Sequence, residues 1–235
     1  MNILIVGGSG GIGAALVDRF LSHRLTNTIY ATYLTGQKIT QSPKVKWHQV
    51  NITSEKDIRD LADNIPQLDV LINAIGILHD ECNHPEKTIN NFDPDFFQKN
   101  ISINTTASIL LAKYFCRPLK SSSISHFVAL SARVGSIEDN KIGGWISYRC
   151  SKAALNMAIK TISLEWQFKN PNCCALAFHP GTTDTNFSKP YQKNVPENKL
   201  FKPEYVADQL IQLIENTTPS DTGKFYSFDG SEISW

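Results

Sequence analysis

Residues 2–13 read Asn-Ile-Leu-Ile-Val-Gly-Gly-Ser-Gly-Gly-Ile-Gly, which sets a five-residue apolar strand, Asn2–Val6, directly against a glycine-rich turn. A strand so uniformly apolar must be covered on both faces, as in a parallel sheet flanked by helices. The turn, Gly7, Gly8, Ser9, Gly10, Gly11, Ile12 and Gly13, has the spacing of a phosphate cradle. Gly7 allows a sharp exit from the strand, Gly11 lets the backbone approach a pyrophosphate, and Gly13 permits close packing of helix on strand. A helix starting at Gly11 would point free N–H groups and a partial positive charge at the phosphates.

The rest of the chain alternates short apolar runs with helical patterns. Strands are predicted at Asn2–Val6, Thr28–Tyr33, Val45–Val50, Asp69–Asn73, Ser125–Ser131, Cys173–Phe178 and Lys224–Phe228. Apolar spacings of three and four predict helices at Gly11–Arg24, Ser54–Asn64, Pro94–Arg117, Ser147–Phe168 and Lys202–Asn216. This alternation predicts an α/β fold: one Rossmann-type, doubly wound parallel sheet of about seven strands in a single domain, 1–235. About a dozen residues, with Gly36 and Pro43 among them, join the second and third strands, too few for a full crossover helix.

Composition narrows the function. The formal net charge of the 235 residues is +1, so neither nucleic acid nor an anionic membrane surface is an expected partner. No apolar run reaches the ~18–20 residues of a membrane span, and the start of the chain does not match a signal peptide. Five cysteines, an odd number with Cys173 and Cys174 adjacent, predict reduced thiols and a cytoplasmic setting.

A site for NAD commonly carries Asp or Glu about 20 residues beyond the glycines, on the ribose. That position falls near Thr32-Tyr33, and no Asp or Glu occurs from Arg19 through Ser54. The same stretch holds Arg19, Arg24, Lys38, Lys44 and Lys46. NADP(H) is therefore the expected cofactor, with NAD(H) as the alternative.

Tyr148-Arg-Cys-Ser-Lys152 supplies the second chemical feature. Residues four apart share a helix face. A phenol with an ordinary pKa near 10 is a poor acid–base group at neutral pH, and a neighbouring ammonium favours its phenolate. Such a pair can protonate a carbonyl oxygen, or deprotonate an alcohol in the reverse direction.

From about residue 2 to residue 230 the chain resembles the short-chain dehydrogenase/reductase superfamily. The resemblance is carried by the glycine turn, Leu71-Ile-Asn-Ala-Ile-Gly76, Asn104, Ser131, Tyr148-x-x-x-Lys152 and Pro180-Gly181, in the family's order. Ser131-Ala-Arg-Val-Gly-Ser-Ile137 and Tyr148-Arg-Cys-Ser-Lys-Ala-Ala-Leu-Asn156 look like its C-factor-like and carbonyl-reductase-like branch. The resemblance implies that Tyr148 is the catalytic acid/base, that Lys152 also holds the nicotinamide ribose, and that Asn104 supports a proton-relay water. It implies a serine on the substrate oxygen. Aligned on Gly135, the family's position is Ala132, so Ser131 is the first candidate and Ser136 the second.

For the cofactor, the resemblance places Asn73, Ala74, Ile75 and Gly76 beside the adenosine ribose. It places Asn51, with Ile52, at the adenine amino group, and Pro180, Gly181, Thr183 and Thr185 near the carboxamide and phosphates; Tyr33 completes the expected set. The implied partner is a small carbonyl or alcohol substrate, and the implied assembly is a homodimer or homotetramer built on Pro94–Arg117 and Ser147–Phe168. The C-factor likeness leaves a second reading, a dinucleotide-binding signalling or regulatory protein with secondary or no catalysis.

His79, Cys82 and His84 lack an evident fourth ligand, so no metal is expected. No Gly-x-Ser-x-Gly elbow supports hydrolase chemistry. Residues 186–202, with Phe187, Tyr191 and Phe201, are expected to form a substrate lid, and Trp145 either lines the pocket or packs in the core.

Overall fold

The computed structural model describes residues 1–36 and 40–235; Lys38, one of the cations noted above, lies outside them. The chain begins with β1 (Asn2–Val6), α1 (Gly11–Ser22), β2 (Thr28–Tyr33), β3 (Val45–Gln49), α2 (Glu55–Asp63) and β4 (Val70–Asn73). It continues through α3 (Pro94–Ile101), a π-helical turn (Ser102–Thr106), α4 (Ala107–Phe115), β5 (Ser125–Leu130), α5 (Ile146–Lys169) and β6 (Cys173–His179). Short strands β7 (Thr182–Thr183) and β8 (Leu200–Phe201) precede α6 (Pro203–Asn216) and β9 (Phe225–Ser227).

Seven strands form one parallel sheet in the order β3-β2-β1-β4-β5-β6-β9. Alternate residues feed two apolar layers. Leu4, Leu71, Phe127 and Ala175 meet Leu111, Phe115, Leu155 and Ile159 from α4 and α5. Ile3, Ile5, Ile72, Val128 and Leu176 meet Leu16 and Phe20 of α1 and Val206 and Leu210 of α6. The expected doubly wound architecture is therefore present, and its central strands are apolar because both faces are covered, whereas the edge strand β3 is half exposed and mixed.

The order of strands reverses at β1, which pairs with β2 on one side and β4 on the other. Open sheets bind ligands in the crevice at such a switch point, beyond the strands' carboxyl ends. Val6 pairs with Asn73, so the glycine turn and Ala74–Gly76 leave the sheet side by side. A Cβ on Gly7 would lie 2.7 Å from Ile75 Cγ1.

Local chemistry shifts several boundaries. Ser54 is the cap of α2 rather than its first residue, its Oγ accepting the Asp57 N–H at 3.2 Å. The helix expected over Pro94–Arg117 is interrupted: Ser102–Thr106 widen into a π turn between α3 and α4. The periodicity of a helix does not reveal such a bulge, which is common at functional sites. Between β2 and β3 no helix occurs among the described residues.

Candidate active site

The glycine turn is built as its spacing requires. Gly7 takes φ +84° and Gly10 donates to its carbonyl at 3.0 Å. A Cβ on Gly13 would meet Gly7 O at 2.0 Å, and one on Gly11 would meet Thr185 Cγ2 at 2.4 Å. α1 has no side-chain cap and no acidic residue in its first turn, so its leading amides are left for an anion. These features fit a dinucleotide pyrophosphate, with Thr185 resting against Gly11. Thr32, buried at the end of β2, accepts the Gly7 N–H at 2.9 Å and fixes the turn's entry.

The stretch near the expected ribose site is free of carboxylate, but three of its cations serve other partners. Arg19 pairs with Asp208 at 2.8 Å, Lys44 donates to Thr26 O at 3.1 Å, and Lys46 lies over the Tyr30 ring. Tyr33 stands edge-on to Trp47. Asn51 is exposed, and its amide oxygen accepts from the Thr53 N–H and hydroxyl at 3.1 and 2.8 Å; Ile52 beside it is buried.

Asn73 bridges inward, donating to Ser108 Oγ at 2.8 Å and accepting the Ile75 N–H at 3.1 Å. It thereby shapes the Ala74–Gly76 backbone. A Cβ on Gly76 would lie 3.3 Å from Asn104 Oδ1 and 3.4 Å from Lys152 Nζ. Gly76, Asn104 and Lys152 thus meet at one point beyond the sheet's carboxyl edge.

Asn104 sits in the π turn, fully buried. Its Oδ1 accepts the Ile77 N–H at 2.7 Å, and its Nδ2 donates to Ile77 O at 2.9 Å and to Ser151 Oγ at 2.9 Å. Ser151 in turn donates to Tyr148 O at 2.8 Å. The bulge turns Asn104 onto the strand-end loop and ties that loop to the helix carrying the tyrosine.

Tyr148 and Lys152 project from one face of α5 and are both buried. Lys152 Nζ donates to Leu130 O at 2.8 Å and lies 5.8 Å from the centre of the Tyr148 ring. Burial governs both groups. It holds the Tyr148 phenol protonated well above its ordinary range, and it lowers Lys152 to about 7. The expected lowering of the phenol by the ammonium is outweighed here by the loss of solvent.

Ser131 is buried at the end of β5, but its hydroxyl donates to Asn156 Oδ1 at 2.5 Å. Ser136 is also buried; its Oγ accepts the Asp139 N–H at 3.2 Å. After β6, Gly181 takes φ +70° against Phe201, and Thr183 Oγ donates to Pro180 O at 3.4 Å. His179 Nδ1 accepts the Arg133 N–H at 3.2 Å, and burial lowers its pKa to about 4.

The expected lid divides. Phe187 packs 6.1 Å from Tyr148, ring to ring, and Tyr191 stands 5.4 Å from Trp145, which itself lies edge-on to Tyr148 at 6.4 Å. Trp145 therefore packs against the Tyr148 and Tyr191 rings rather than in the sheet's core. Phe201 does not: it stacks on Tyr205 and Phe228 behind Gly181. His79 and His84 stack on each other and bond Phe187 O and the Tyr191 hydroxyl, so their imidazoles brace the segment that carries these two residues.

Residues the sequence did not single out include Ser147, Ser151, Asn156 and Glu86. Ser147 and Ser151 flank Tyr148 at positions a helical wheel could have marked. Glu86 gave no signal, because its partner Ser147 lies 61 residues away.

The chain matches the short chain dehydrogenase family over residues 1–196. It is 29% identical over 239 residues to the 1-hydroxy-2-glutathionyl-2-methyl-3-butene dehydrogenase of Rhodococcus sp., covering 100% of this chain and 99% of that one. It is 26% identical over 168 residues to the C-signal protein of Myxococcus xanthus, covering 72% of this chain and 93% of that one. The NADPH-bound carbonyl reductase from chicken fatty liver superimposes with a TM-score of 0.87 at 24% identity, covering 100% of this chain and 98% of that one. The carbonyl reductase Sniffer of Drosophila melanogaster gives 0.85 at 22% identity, covering 100% and 99%. With the glycine cradle, the Tyr148–Lys152 face and this match in hand, the chain belongs to the short chain dehydrogenase family of oxidoreductases.

Proposed function

We propose that this protein transfers a hydride between NADP(H) and a small carbonyl or secondary alcohol substrate. The observation that carries the reading is the convergence of Gly76, Lys152 and Tyr148 beyond the crevice between β1 and β4. Gly7–Gly13 would hold the pyrophosphate, with Thr185 against Gly11. Asn73–Gly76 would hold the adenosine ribose, Tyr33, Asn51 and Ile52 the adenine, and Pro180, Gly181 and Thr183 the carboxamide. Support for NADP(H) over NAD(H) comes from the lack of a carboxylate at the end of β2. It comes also from the NADPH in the chicken carbonyl reductase and the NADP bound to a Burkholderia multivorans short-chain dehydrogenase/reductase of the same fold.

The bound dinucleotide supplies the hydride. Tyr148, kept protonated by burial, gives its proton to the carbonyl oxygen as the new C–H bond forms, and the C=O π pair becomes the O–H bond. Lys152 compensates the phenolate left behind. Asn104, through Ser151, fixes the helix turn that carries the phenol, and it would support the water that reprotonates Tyr148. Trp145, Phe187 and Tyr191 exclude bulk water, and positioning supplies the rest of the rate. Ser131 can hold the substrate oxygen only by releasing Asn156, and that committed proton favours Ser136 as a second reading. The five unpaired cysteines support a cytoplasmic setting.

The test is dinucleotide oxidation against a panel of aldehydes and ketones with each cofactor. The reading expects turnover with a clear preference for NADPH. Tight dinucleotide binding without turnover across the panel would instead favour a regulatory binding protein, the reading that the C-signal likeness keeps open.

A further inference from the structure

Gly143, Gly144 and Trp145 form an unusual run that ends three residues before Tyr148. All three take left-handed backbone, with φ of 72°, 67° and 54°. For a tryptophan this conformation is costly and persists only where its surroundings enforce it. Trp145 is also the N-cap of α5, yet it has no side chain that can cap.

Glu86 supplies what is missing. It is a carboxylate only 3% exposed, and no cation pairs with it among the described residues. Its Oε2 accepts the Ser147 N–H at 3.2 Å, its Oε1 accepts the Ser147 hydroxyl, and its main-chain oxygen accepts the Trp145 N–H at 2.5 Å. A carboxylate at a helix N-terminus is stabilised by the free amides and the helix dipole. One residue thus caps the helix at the turn that carries Tyr148 and holds the backbone that sets the Trp145 indole edge-on to Tyr148 and Tyr191.

We infer that Glu86 is a positioning residue for the reaction: a buried trans-cap that orients Tyr148 and the Trp145 wall of the pocket. The inference rests on the oxidoreductase reading for its catalytic half. Without the carboxylate, the Ser147 N–H and hydroxyl lose their acceptor and the first turn of α5, on which Trp145 sits as cap, frays, while the Trp145 N–H keeps the main-chain oxygen of residue 86. Neither change touches the cofactor cradle on α1.

The experiment compares wild type with Glu86→Ala and the gentler Glu86→Gln, which keeps an acceptor for the serine hydroxyl. Amide hydrogen exchange at residues 145–148 needs no substrate. It is expected to accelerate at least about tenfold in Glu86→Ala, with NADPH affinity within twofold of wild type. In turnover, kcat is expected to fall about tenfold or more with KM within about twofold. The pH profile of kcat is expected to shift, and Glu86→Gln to recover most of the loss. Wild-type exchange at 145–148 in Glu86→Ala overturns the inference, and so does accelerated exchange with unchanged kcat and pH profile in an active enzyme. Accelerated exchange in a protein whose wild type reduces no carbonyl upholds the clamp and removes the oxidoreductase reading instead.

Discussion

The Ser131 hydroxyl donates to the Asn156 amide oxygen at 2.5 Å, eight residues along α5 from Tyr148 and so about 12 Å away along the helix axis. The chain then climbs back toward the tyrosine: a Cβ on Gly135 would touch Lys152 at 2.8 Å, and Ser136 follows. Ser131→Ala is therefore expected to leave kcat within about threefold and to lower stability by the ~1–3 kcal/mol of a buried, broken hydrogen-bond pair. Ser136→Ala is expected to lower kcat at least about tenfold. Steady-state kinetics of the two variants decide the matter, and the opposite ranking returns the role to Ser131.

Lys152 trades stability for chemistry. Its buried ammonium titrates at about 7 against an ordinary 10.5, so the unfolded chain holds that proton over a range in which the folded chain has lost it. Stability must therefore rise with pH between those values, by at most about 1.4 kcal/mol per pH unit for one group. Below about pH 7 the full penalty is present. Lys152→Met is expected to be more thermally stable than wild type at pH 6–7, with an advantage that shrinks toward pH 10. For the same reason kcat/KM for reduction is expected to fall as pH rises through about 7, because the charged lysine is lost while Tyr148 stays protonated. A variant whose melting advantage does not depend on pH contradicts this account.

The glycines of the cradle separate into two kinds. Gly13 faces Gly7 O, a backbone atom that cannot yield, at 2.0 Å from an added Cβ, whereas Gly11 faces the Thr185 side chain. Gly13→Ala is expected to cost about 1–3 kcal/mol or more of stability together with cofactor binding. Gly11→Ala is expected to keep the fold and weaken NADPH binding, with partial recovery when Thr185→Ala is added. Dinucleotide titration and thermal melts of the three proteins check this; equal losses of stability at the two glycines would refute it.

The outer faces of α4 and α5 carry Ile109, Met157, Leu164 and Phe168, and Phe168 is 89% exposed. We propose that these residues are covered in a homodimer or homotetramer, since scattered single exposures are ordinary but a shared apolar face marks an interaction surface. Light scattering should give a multiple of the 26.2 kDa chain, reduced by Phe168→Glu. A monomeric wild type rejects the proposal.

The sheet was legible from residue 2 onward because its central strands β1, β4, β5 and β6 are mostly apolar runs with helices on both sides, a pattern that local periodicity preserves. The cradle was legible because its glycines are adjacent in sequence. The π turn was not, since Asn104 is drawn out of regular helix by Ile77, a contact no spacing announces. The direction of Ser131 was not, because one position along a strand end reverses a side chain. Arg19 looked available to a phosphate until α6 brought Asp208 beside it. What the sequence concealed was set in each case by a partner far away in the chain.

The most direct test is kcat for NADPH-dependent carbonyl reduction by Tyr148→Phe, beside the Kd of NADPH for the same protein. Phenylalanine keeps the ring among Trp145 and Phe187 and removes only the proton donor. A fall in kcat of about 10²–10⁴-fold, the range of a general acid, with Kd within twofold, is the predicted result. A variant that retains kcat within threefold of wild type would contradict the role assigned to Tyr148 and with it the proposed reaction.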